Sequence, residues 1–405
     1  MKTLLQINVD SNANSTGVIA SQIGELAIRK GWKSYIAYSR TCRKSKNENI
    51  KIGNKLSYSI HWWMSRFLDC QGLLSFFSTL KLLRKISKIQ PSIIHLHVIH
   101  DYFLNYPLLL CYIKKHNIPV VWTFHDCWSF TGHCAHFDYI KCKKWMFKCS
   151  NCPQLRTYSP SLIDCSQRNY KLKKRYFTGL NKLTIVPVSQ WLAGIVKASF
   201  LGSYNIHPIY NGVDVNRFCI RETYIKETGD LASTKVLIAV ASSWSARKGL
   251  KDYIELSSLL DSRNFRIVLI GQIDEKNKKN IPDRILTIPR TKNQDELVDW
   301  YNAADIVLNL SYEETFGLTT IEGMACGTPS IVYDRTASPE LVTPETGVIV
   351  NAGNIEAVAD AIKLITNNGK DHYKNACRMR ALEYFNKEDR YEEYIQLYEQ
   401  IINNK

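Results

Sequence analysis

The regular alternation of short apolar runs with longer amphipathic stretches is the feature that most constrains the fold of this chain. Each run is rich in Val, Ile and Leu and almost continuously apolar, which is typical of a parallel strand covered on both faces. Helical stretches between such strands indicate βαβ units, so we expect an α/β protein with parallel sheets. The runs predicted to be strands are 4–9, 92–99, 120–125, 183–189, 235–243, 265–271, 284–289, 304–311 and 329–334.

The chain length and one break in this pattern predict the division into domains. A chain of 405 residues has room for roughly two to three domains of about 150 residues each. The segment Asn211–Arg217 interrupts the alternation and leads into a charged stretch at 220–234. We therefore expect an N-terminal domain at 1–210 and a C-terminal domain at 211–385. A polar helix is predicted at 386–405, and it is expected to cross back to the N-terminal domain.

Charge is distributed unevenly between the two halves of the chain. The formal net charge is +16, of which residues 1–215 contribute +20 and residues 216–405 contribute −4. A basic half suits an anionic membrane, a nucleic acid or a phosphate-bearing substrate, and charge alone does not choose among them. Every apolar run is too short for a membrane span, and the apolar start before Asp10 is too short for a secretory signal. The expected location is therefore the cytoplasm.

Segment 57–90 combines aromatic and basic residues in an amphipathic helical pattern. This pattern is typical of a helix that lies in a membrane interface. A pair of helices packed on the domain's own sheet would show a similar pattern, so both interpretations stay open. The residues concerned are Trp62, Trp63, Arg66, Phe67, Phe76, Phe77, Lys81, Arg84, Lys85 and Lys88.

Two glutamates, Glu314 and Glu322, lie at a predicted strand–loop–helix junction. The helix is predicted to begin near Gly317, and such a junction presents unpaired backbone N–H groups to an anion. Carboxylates near it can accept hydrogen bonds from the hydroxyls of a sugar. A diphosphate there also needs cations, and Arg247 and Lys248 follow another predicted strand end. The pattern therefore indicates a site for a ligand that carries both a diphosphate and a sugar.

These motifs together resemble the retaining GT-B glycosyltransferases of family GT4. The family has two Rossmann-like domains with parallel sheets that face each other across a cleft. The stretch Thr123–Trp128 is similar to the branch of the family that makes colanic acid and capsular polysaccharide. The other matching residues are the E-x7-E pair with Phe316-Gly317, Arg247-Lys248-Gly249, Ala303–Asp305, Ala325–Pro329, Ser338–Glu340, Val188–Leu192 and Asn211–Asp214.

The resemblance implies a role for each matching residue. Glu322 is implied to bind the ribose hydroxyls and Glu314 the transferred sugar. Lys248 is implied to hold the diphosphate and to stabilise it as the leaving group. Arg247 would stand in for an arginine that the family usually has at the position of Ser243. The catalytic residues implied are His125, Glu314 and Lys248. The backbone N–H groups of Phe316, Gly317 and Leu318 are implied to contact the nucleotide sugar. Gly17 is implied to lie near the phosphates or the acceptor.

The implied reaction moves a sugar from a UDP- or GDP-sugar to an acceptor hydroxyl with retention of configuration, and no cofactor is required. The basic N-terminal half is expected to bind an acceptor glycan linked to polyprenyl diphosphate, whose diphosphate is anionic. The same positive charge favours a peripheral position on the inner face of the cytoplasmic membrane. Nucleic acid is not an expected partner, although a basic nucleic-acid-binding protein stays a rival of a different class. A GT-B nucleotide-sugar epimerase or phosphorylase would keep the fold and change the chemistry.

Four cysteines lie close together in the insert 127–165, in the spacing C-x7-C-x6-C-x2-C. Four thiolates can close a structural zinc site, and His133 or His136 could replace one of them. Unliganded thiols are the main alternative, because a reducing cytosol disfavours disulfides. The cysteines concerned are Cys134, Cys142, Cys149 and Cys152.

Several of the candidate residues also have an ordinary structural explanation. His95 and His97 alternate on one predicted strand and so share a face, where structural histidines are more usual. His125 is open to the same explanation, as a core histidine with its hydrogen bonds satisfied. Glu313 stands outside the E-x7-E spacing and is expected to be solvated.

Overall fold

The computed structural model describes residues 1–227 and 231–403, which form two compact units. The first unit contains Met1–Ile209 and the chain from Tyr391 onward, and the second contains Tyr210–Arg390. Part of the charged stretch predicted at 220–234 and the last two residues of the predicted segment 386–405 lie outside the described residues.

The described part of the first unit is built on a seven-stranded sheet in which neighbouring strands are parallel. Its strands are β1 (Thr3–Ile7), β2 (Lys33–Tyr38), β3 (Glu48–Lys51), β4 (Ile93–Leu96), β5 (Val120–Phe124), β6 (Leu183–Pro187) and β7 (Asn205–Ile206). They lie in the order β3-β2-β1-β4-β5-β6-β7. The order reverses between β1 and β4, and open parallel sheets bind ligands beyond the carboxyl ends of the strands at such a point.

Helices cover this sheet, and several of them begin at a side-chain cap. They are α1 (Asn14–Arg29), α2 (Lys55–Leu68), α3 (Phe76–Ile89), α4 (Tyr106–Lys115), α5 (Ser166–Phe177) and α6 (Gln190–Lys197). The side chains of Asn54, Asn105 and Ser189 each accept a backbone N–H of the first turn and so fix where α2, α4 and α6 start. The end of the chain adds Tyr394 and Tyr398 to the hydrophobic core of this unit.

The second unit has a six-stranded parallel sheet in its described residues. The strands are β8 (Lys235–Ser243), β9 (Phe265–Gln272), β10 (Ile285–Ile288), β11 (Ile306–Asn309), β12 (Ser330–Tyr333) and β13 (Gly347–Val350), in the order β10-β9-β8-β11-β12-β13. The helices are α7 (Leu250–Leu259), α8 (Glu275–Lys278), α9 (Gln294–Ala303), α10 (Leu318–Ala325), α11 (Ile355–Asn368) and α12 (Lys370–Phe385). The last helix, α13 (Lys387–Asn403), begins in this unit and continues in the first. The strand order reverses between β8 and β11.

The predicted α/β fold with two parallel-sheet, Rossmann-like domains is confirmed. Each of the nine predicted runs contains a strand. The strands β2, β3, β7 and β13 were not predicted, because they are short or carry polar residues in alternation: only one of the four residues of β3 is buried, for example. Three of the four missed strands, β3, β7 and β13, lie at sheet edges, whereas β2 is internal and the edge strand β10 was predicted.

The predicted amphipathic segment 57–90 forms the two helices α2 and α3. Leu82 and Ile86 of α3 are buried, whereas Trp63 and Phe77 are 57% and 78% exposed. Among the described residues, no helix is long and apolar enough to cross a membrane.

Candidate active site

Two loops of the second unit meet where its strand order reverses. One loop follows β8 and carries Arg247 and Lys248, and the other follows β11 and carries Glu314. Gly249 makes the close approach possible, because its φ is +73° and a Cβ there would lie 2.1 Å from the carbonyl oxygen of Leu310. Any other residue would be strained at this position. The glycine of the Arg-Lys-Gly motif therefore brings the lysine up to the second loop.

Lys248 and Glu314 form a largely buried ion pair. The ammonium of Lys248 donates a hydrogen bond to Oε1 of Glu314, and the two side chains are 18% and 15% exposed. Burial alone would raise the pKa of Glu314, but Lys248, with help from Arg247, outweighs burial and holds the pKa below its ordinary value. Glu314 is therefore an ionised hydrogen-bond acceptor at neutral pH, and Lys248 places a cation in the loop.

Helix α10 begins just after Glu314, and its first N–H groups are free to bind a ligand. Gly317, with a φ of +109°, is the N-cap residue. The hydrogen bonds found in the described part of the chain leave the backbone N–H groups of Phe316, Gly317 and Leu318 without an acceptor. Unpaired N–H groups at the positive end of a helix attract anions. The structure thus brings the predicted backbone contacts together next to the Lys248–Glu314 pair.

Glu322 lies within α10, and Tyr301 of α9 donates a hydrogen bond to it over 2.8 Å. Burial raises the pKa of Glu322 to about 7, an effect that the hydrogen bond from Tyr301 only partly offsets. The adjacent Gly323 allows α10 to pack directly on β11, since a Cβ there would lie 2.4 Å from Cγ2 of Val307. Sequence reasoning found Glu322 but missed Tyr301, because no spacing rule links the two helices.

Arg247 joins the two loops. Its Nη1 donates a hydrogen bond to the backbone carbonyl of Glu313 over 2.8 Å, and its own carbonyl accepts one from the N–H of Tyr312 over 2.9 Å. Ser243, which ends β8, is exposed. Arg247 therefore positions the two loops in the free protein. That it also takes over the role of the arginine usually found at the position of Ser243 stays a prediction.

The expectation that Glu313 is solvated is wrong. Its side chain is fully buried, whereas that of the next residue, Glu314, is partly open. One glutamate of the pair therefore enters the interior while the other reaches the site.

His125 of the first unit lies at the end of a row of buried polar side chains. Its Nε2 is 3.2 Å from Nδ1 of His97, whose Nε2 is 3.0 Å from Oε1 of Gln6. Burial lowers the pKa of His125 to about 4, so its imidazole is neutral at pH 7. His95 is fully buried and is hydrogen-bonded to Tyr398. These contacts favour the structural interpretation of His95 and His97, while the catalytic role of His125 stays a prediction.

Gly17 lies in α1, against the loop that follows β1. A Cβ at this position would lie 3.0 Å from the carbonyl oxygen of Asp10, closer than most such contacts. Tight packing thus gives one reason for the glycine, and its contact with phosphates or an acceptor stays a prediction.

The four clustered cysteines do not form a metal site in the described residues. No group of three or more His, Cys, Asp or Glu side chains is arranged there to hold a metal ion. Cys134 and Cys152 interact with each other, which raises the pKa of Cys134 and lowers the pKa of Cys152 to about 7. Nδ1 of His133, a candidate replacement ligand, lies 2.7 Å from a carboxylate oxygen of Asp69. The zinc hypothesis for Cys134, Cys142, Cys149 and Cys152 is therefore not supported.

Two family models match consecutive parts of the chain. The model described as Glycosyltransferase Family 4 matches residues 18–217, and the one described as Glycosyl transferases group 1 matches residues 222–381. The boundary between the two matches, at 217–222, lies close to the boundary between the two units, which falls between Ile209 and Tyr210.

Relatives and solved structures agree with these matches. The chain is 23% identical over 365 residues to the Escherichia coli (strain K12) protein named as colanic acid biosynthesis glycosyl transferase WcaC, covering 86% of this chain and 87% of that one. It is 25% identical over 211 residues to GDP-mannose:cellobiosyl-diphosphopolyprenol alpha-mannosyltransferase of Xanthomonas campestris, covering 48% and 53%. Anabaena HepE, solved in complex with UDP, has the same fold, with a TM-score of 0.66 at 14% identity over 99% of this chain and 100% of that one.

The strand-end loops of the second unit thus lie within the part of the chain that matches the group 1 model, and the whole chain has the GT-B architecture. From the two adjoining matches and this fold, we conclude that the chain is an enzyme and belongs to the GT4 family of glycosyltransferases.

Proposed function

We propose that this glycosyltransferase moves a sugar from a nucleoside-diphosphate sugar to a hydroxyl of a lipid-linked glycan, with retention of configuration, in the assembly of a surface polysaccharide. The observation that carries the proposal is the cluster in the second unit, where the Lys248–Glu314 pair lies next to free N–H groups at the start of α10. Such a cluster offers donors to a diphosphate and acceptors to sugar hydroxyls. The UDP complex of HepE and the GDP-mannose in the name of the Xanthomonas campestris relative support the same donor class, and the name of WcaC supports a role in polysaccharide biosynthesis.

Each side chain of the cluster has a distinct part in the proposed complex. Glu322 accepts hydrogen bonds from the ribose hydroxyls, and the first N–H groups of α10 bind the diphosphate. Glu314 contacts hydroxyls of the transferred sugar. When the bond between the anomeric carbon and the diphosphate breaks, negative charge accumulates on the departing oxygen, and Lys248 stabilises that charge.

Retention is proposed to follow from attack on the face from which the diphosphate leaves. The acceptor oxygen forms the new bond to the anomeric carbon, and its proton passes to an oxygen of the departing diphosphate. This route uses no carboxylate nucleophile, and it fits a site in which Glu314 is held by Lys248 and Glu322 by Tyr301. His125, being neutral at pH 7, can donate or accept a hydrogen bond to the sugar without adding charge.

Mass spectrometry of a polyprenyl-diphosphate-linked glycan incubated with UDP- and GDP-hexoses tests the proposal. The glycan is expected to gain the mass of one sugar while an equal amount of one nucleoside diphosphate is released. NMR of the new anomeric proton is expected to show the configuration of the donor. Formation of a sugar 1-phosphate that depends on inorganic phosphate would indicate a phosphorylase, and an epimerised sugar would indicate an epimerase. Either result would contradict transfer.

The surface formed by α2 and α3 supports a peripheral contact with anionic lipid, in keeping with a lipid-linked acceptor. Phe77 of α3 lines a groove with Lys81 and Lys85. The basic residues of α3 form no ion pair within the described residues, and α2 adds further exposed aromatic side chains. Aromatic rings next to unpaired cations favour the interface of an anionic bilayer. The aromatic residues are Trp63, Phe67, Phe76 and Phe77, and the basic residues are Lys81, Arg84, Lys85 and Lys88.

Charge reversal of the four basic residues of α3 to Glu is expected to reduce binding to phosphatidylglycerol vesicles at least about tenfold, since each cation near an anionic surface contributes about 1 kcal/mol. Vesicle flotation measures this binding. The matched control reverses four exposed lysines of the second unit (Lys251, Lys276, Lys279 and Lys292), and it is expected to float like the wild type. Equal recovery with neutral and anionic vesicles, unchanged by the α3 substitutions, would rule out this contact.

A further inference from the structure

The first unit contains a pocket of about 370 Å³ beyond the carboxyl ends of its central strands. Residues that follow β1, β2, β4 and β5 line it, together with Gln71 and the Tyr158–Ser159 pair of the Cys-rich insert. Open parallel sheets bind ligands at this position. The lining includes none of the residues of the second unit that are proposed to hold the donor.

Two carboxylates of the pocket are already occupied by the protein. Oδ1 of Asp10 accepts a hydrogen bond from the N–H of Thr41 over 2.9 Å, and its Oδ2 accepts one from Nδ2 of Asn14 over 2.7 Å. Oδ2 of Asp126 lies 2.9 Å from Nε2 of His100. These two carboxylates fix the wall of the pocket and leave little capacity for a ligand.

Two other side chains of the lining have unused hydrogen-bonding capacity. Gln71 is only 8% exposed, and its amide has no hydrogen-bond partner among the described residues. Within the described part of the chain, the side chain of Asp101 accepts one hydrogen bond, from Nη1 of Arg40, which lies 3.4 Å from its Oδ2. Because Gln71 lies in the pocket wall, the donor and the acceptor of its amide are available to a ligand there. The observation on Gln71 is independent of the carboxylates around it.

The charge of the pocket is opposite to that of the unit around it. Its lining has three carboxylates, on Asp10, Asp101 and Asp126, and one guanidinium, on Arg40. A phosphate or a uronic acid that entered would be repelled by this excess of negative charge at short range. A neutral polyhydroxylated ring can instead donate hydroxyl hydrogens to Asp101 and both donate to and accept from Gln71. The tyrosine side chains of the lining offer aromatic surface to such a ring.

We propose that this pocket binds the terminal sugar of the acceptor as an electrically neutral residue, and that Gln71 and Asp101 select it through its hydroxyls. The proposal rests on the proposed glycosyltransferase function and narrows its acceptor class. The diphosphate of a lipid-linked acceptor then stays outside the pocket, toward the basic surface of the unit.

Saturation-transfer NMR with neutral methyl hexopyranosides (gluco, galacto and manno) and with methyl glucuronide tests this selection. At least one neutral glycoside is expected to bind the wild type, and the glucuronide is expected not to bind. The near-isosteric variants Gln71→Met and Asp101→Asn are each expected to weaken the neutral glycoside at least about tenfold, as loss of one or two hydrogen bonds in a buried site does. Control variants Gln396→Leu and Asp283→Asn replace exposed residues and are expected to bind like the wild type.

Binding of UDP and GDP to the same variants separates this proposal from the function on which it rests. Intact nucleotide binding with no neutral glycoside bound, or with glucuronide bound as well as the neutral sugars, would overturn the neutral-sugar pocket and leave the transferase standing. If the wild type bound neither UDP nor GDP, that result would instead contradict the proposed function. Melting temperatures close to that of the wild type establish that the variants are folded.

Discussion

Replacement of Lys248 by Met is expected to lower kcat for sugar transfer by about 10²–10³-fold, the usual cost of removing one preorganised group that stabilises developing charge. Met keeps most of the length of the side chain and removes its charge together with its hydrogen-bond donors. The effect is expected mainly in kcat, because the charge on the departing diphosphate grows as the glycosidic bond breaks. Steady-state release of the nucleoside diphosphate measures it, with Lys251→Met, an exposed lysine of α7, as the matched control.

Loss of the ammonium also leaves Glu314 without its counter-charge in a largely buried position. Breaking a buried pair from one side costs about 3 kcal/mol of stability, so thermal unfolding must be measured alongside activity. The double variant Lys248→Met/Glu314→Gln removes both charges and is expected to recover stability without recovering transfer. A Lys248→Met protein that is folded and transfers within about threefold of the wild-type rate would contradict the charge-stabilising role of this lysine.

The positions of the candidate residues in the second unit were largely predictable, because most of these residues are close together along the chain. Glu314, Gly317 and Glu322 lie on one strand–loop–helix junction, whose geometry follows from local sequence. The approach of Lys248 was predictable from parallel-sheet topology, since loops after neighbouring strands meet at one edge. The central strands were predictable for a different reason: both of their faces are buried, so their sequences are almost continuously apolar.

The features that the sequence did not predict depend on contacts between residues that are distant in sequence. Tyr301 reaches Glu322 from a different helix, and the pocket of the first unit is lined by residues as far apart as Asp10 and Ser159. The cysteine spacing did not determine the directions of the thiols, and His133 is held by Asp69, which is 64 positions away. Such pairings arise from packing of whole elements, for which a single sequence carries no periodic signal.

Binding of nucleotide by Glu322 is expected to depend on pH. The pKa of Glu322 in the free protein is about 7, above its ordinary value, so the protonated form is favoured in the folded state. Its contribution to stability is therefore present at low pH and is lost as the pH rises through about 7, which makes Glu322→Gln more stable than the wild type above that pH. The ionised form is the better acceptor for ribose hydroxyls, so nucleotide binding is expected to tighten between about pH 6 and pH 8. In Glu322→Gln, the pH dependence of nucleotide binding is expected to reflect only the titration of the nucleotide itself.

Calorimetric binding of UDP and GDP to the wild type and to Glu322→Ala tests the central claim, that the second unit holds a nucleoside-diphosphate sugar by its ribose and diphosphate. One of the two nucleotides is expected to bind with a Kd of about 1–10 μM. The substitution is expected to weaken it by about 1.5–3 kcal/mol, the scale of hydrogen bonds to a charged group, which corresponds to roughly 10–150-fold in Kd. Failure of both nucleotides to bind, or equal binding by the variant, would contradict the assignment of Glu322 to the ribose.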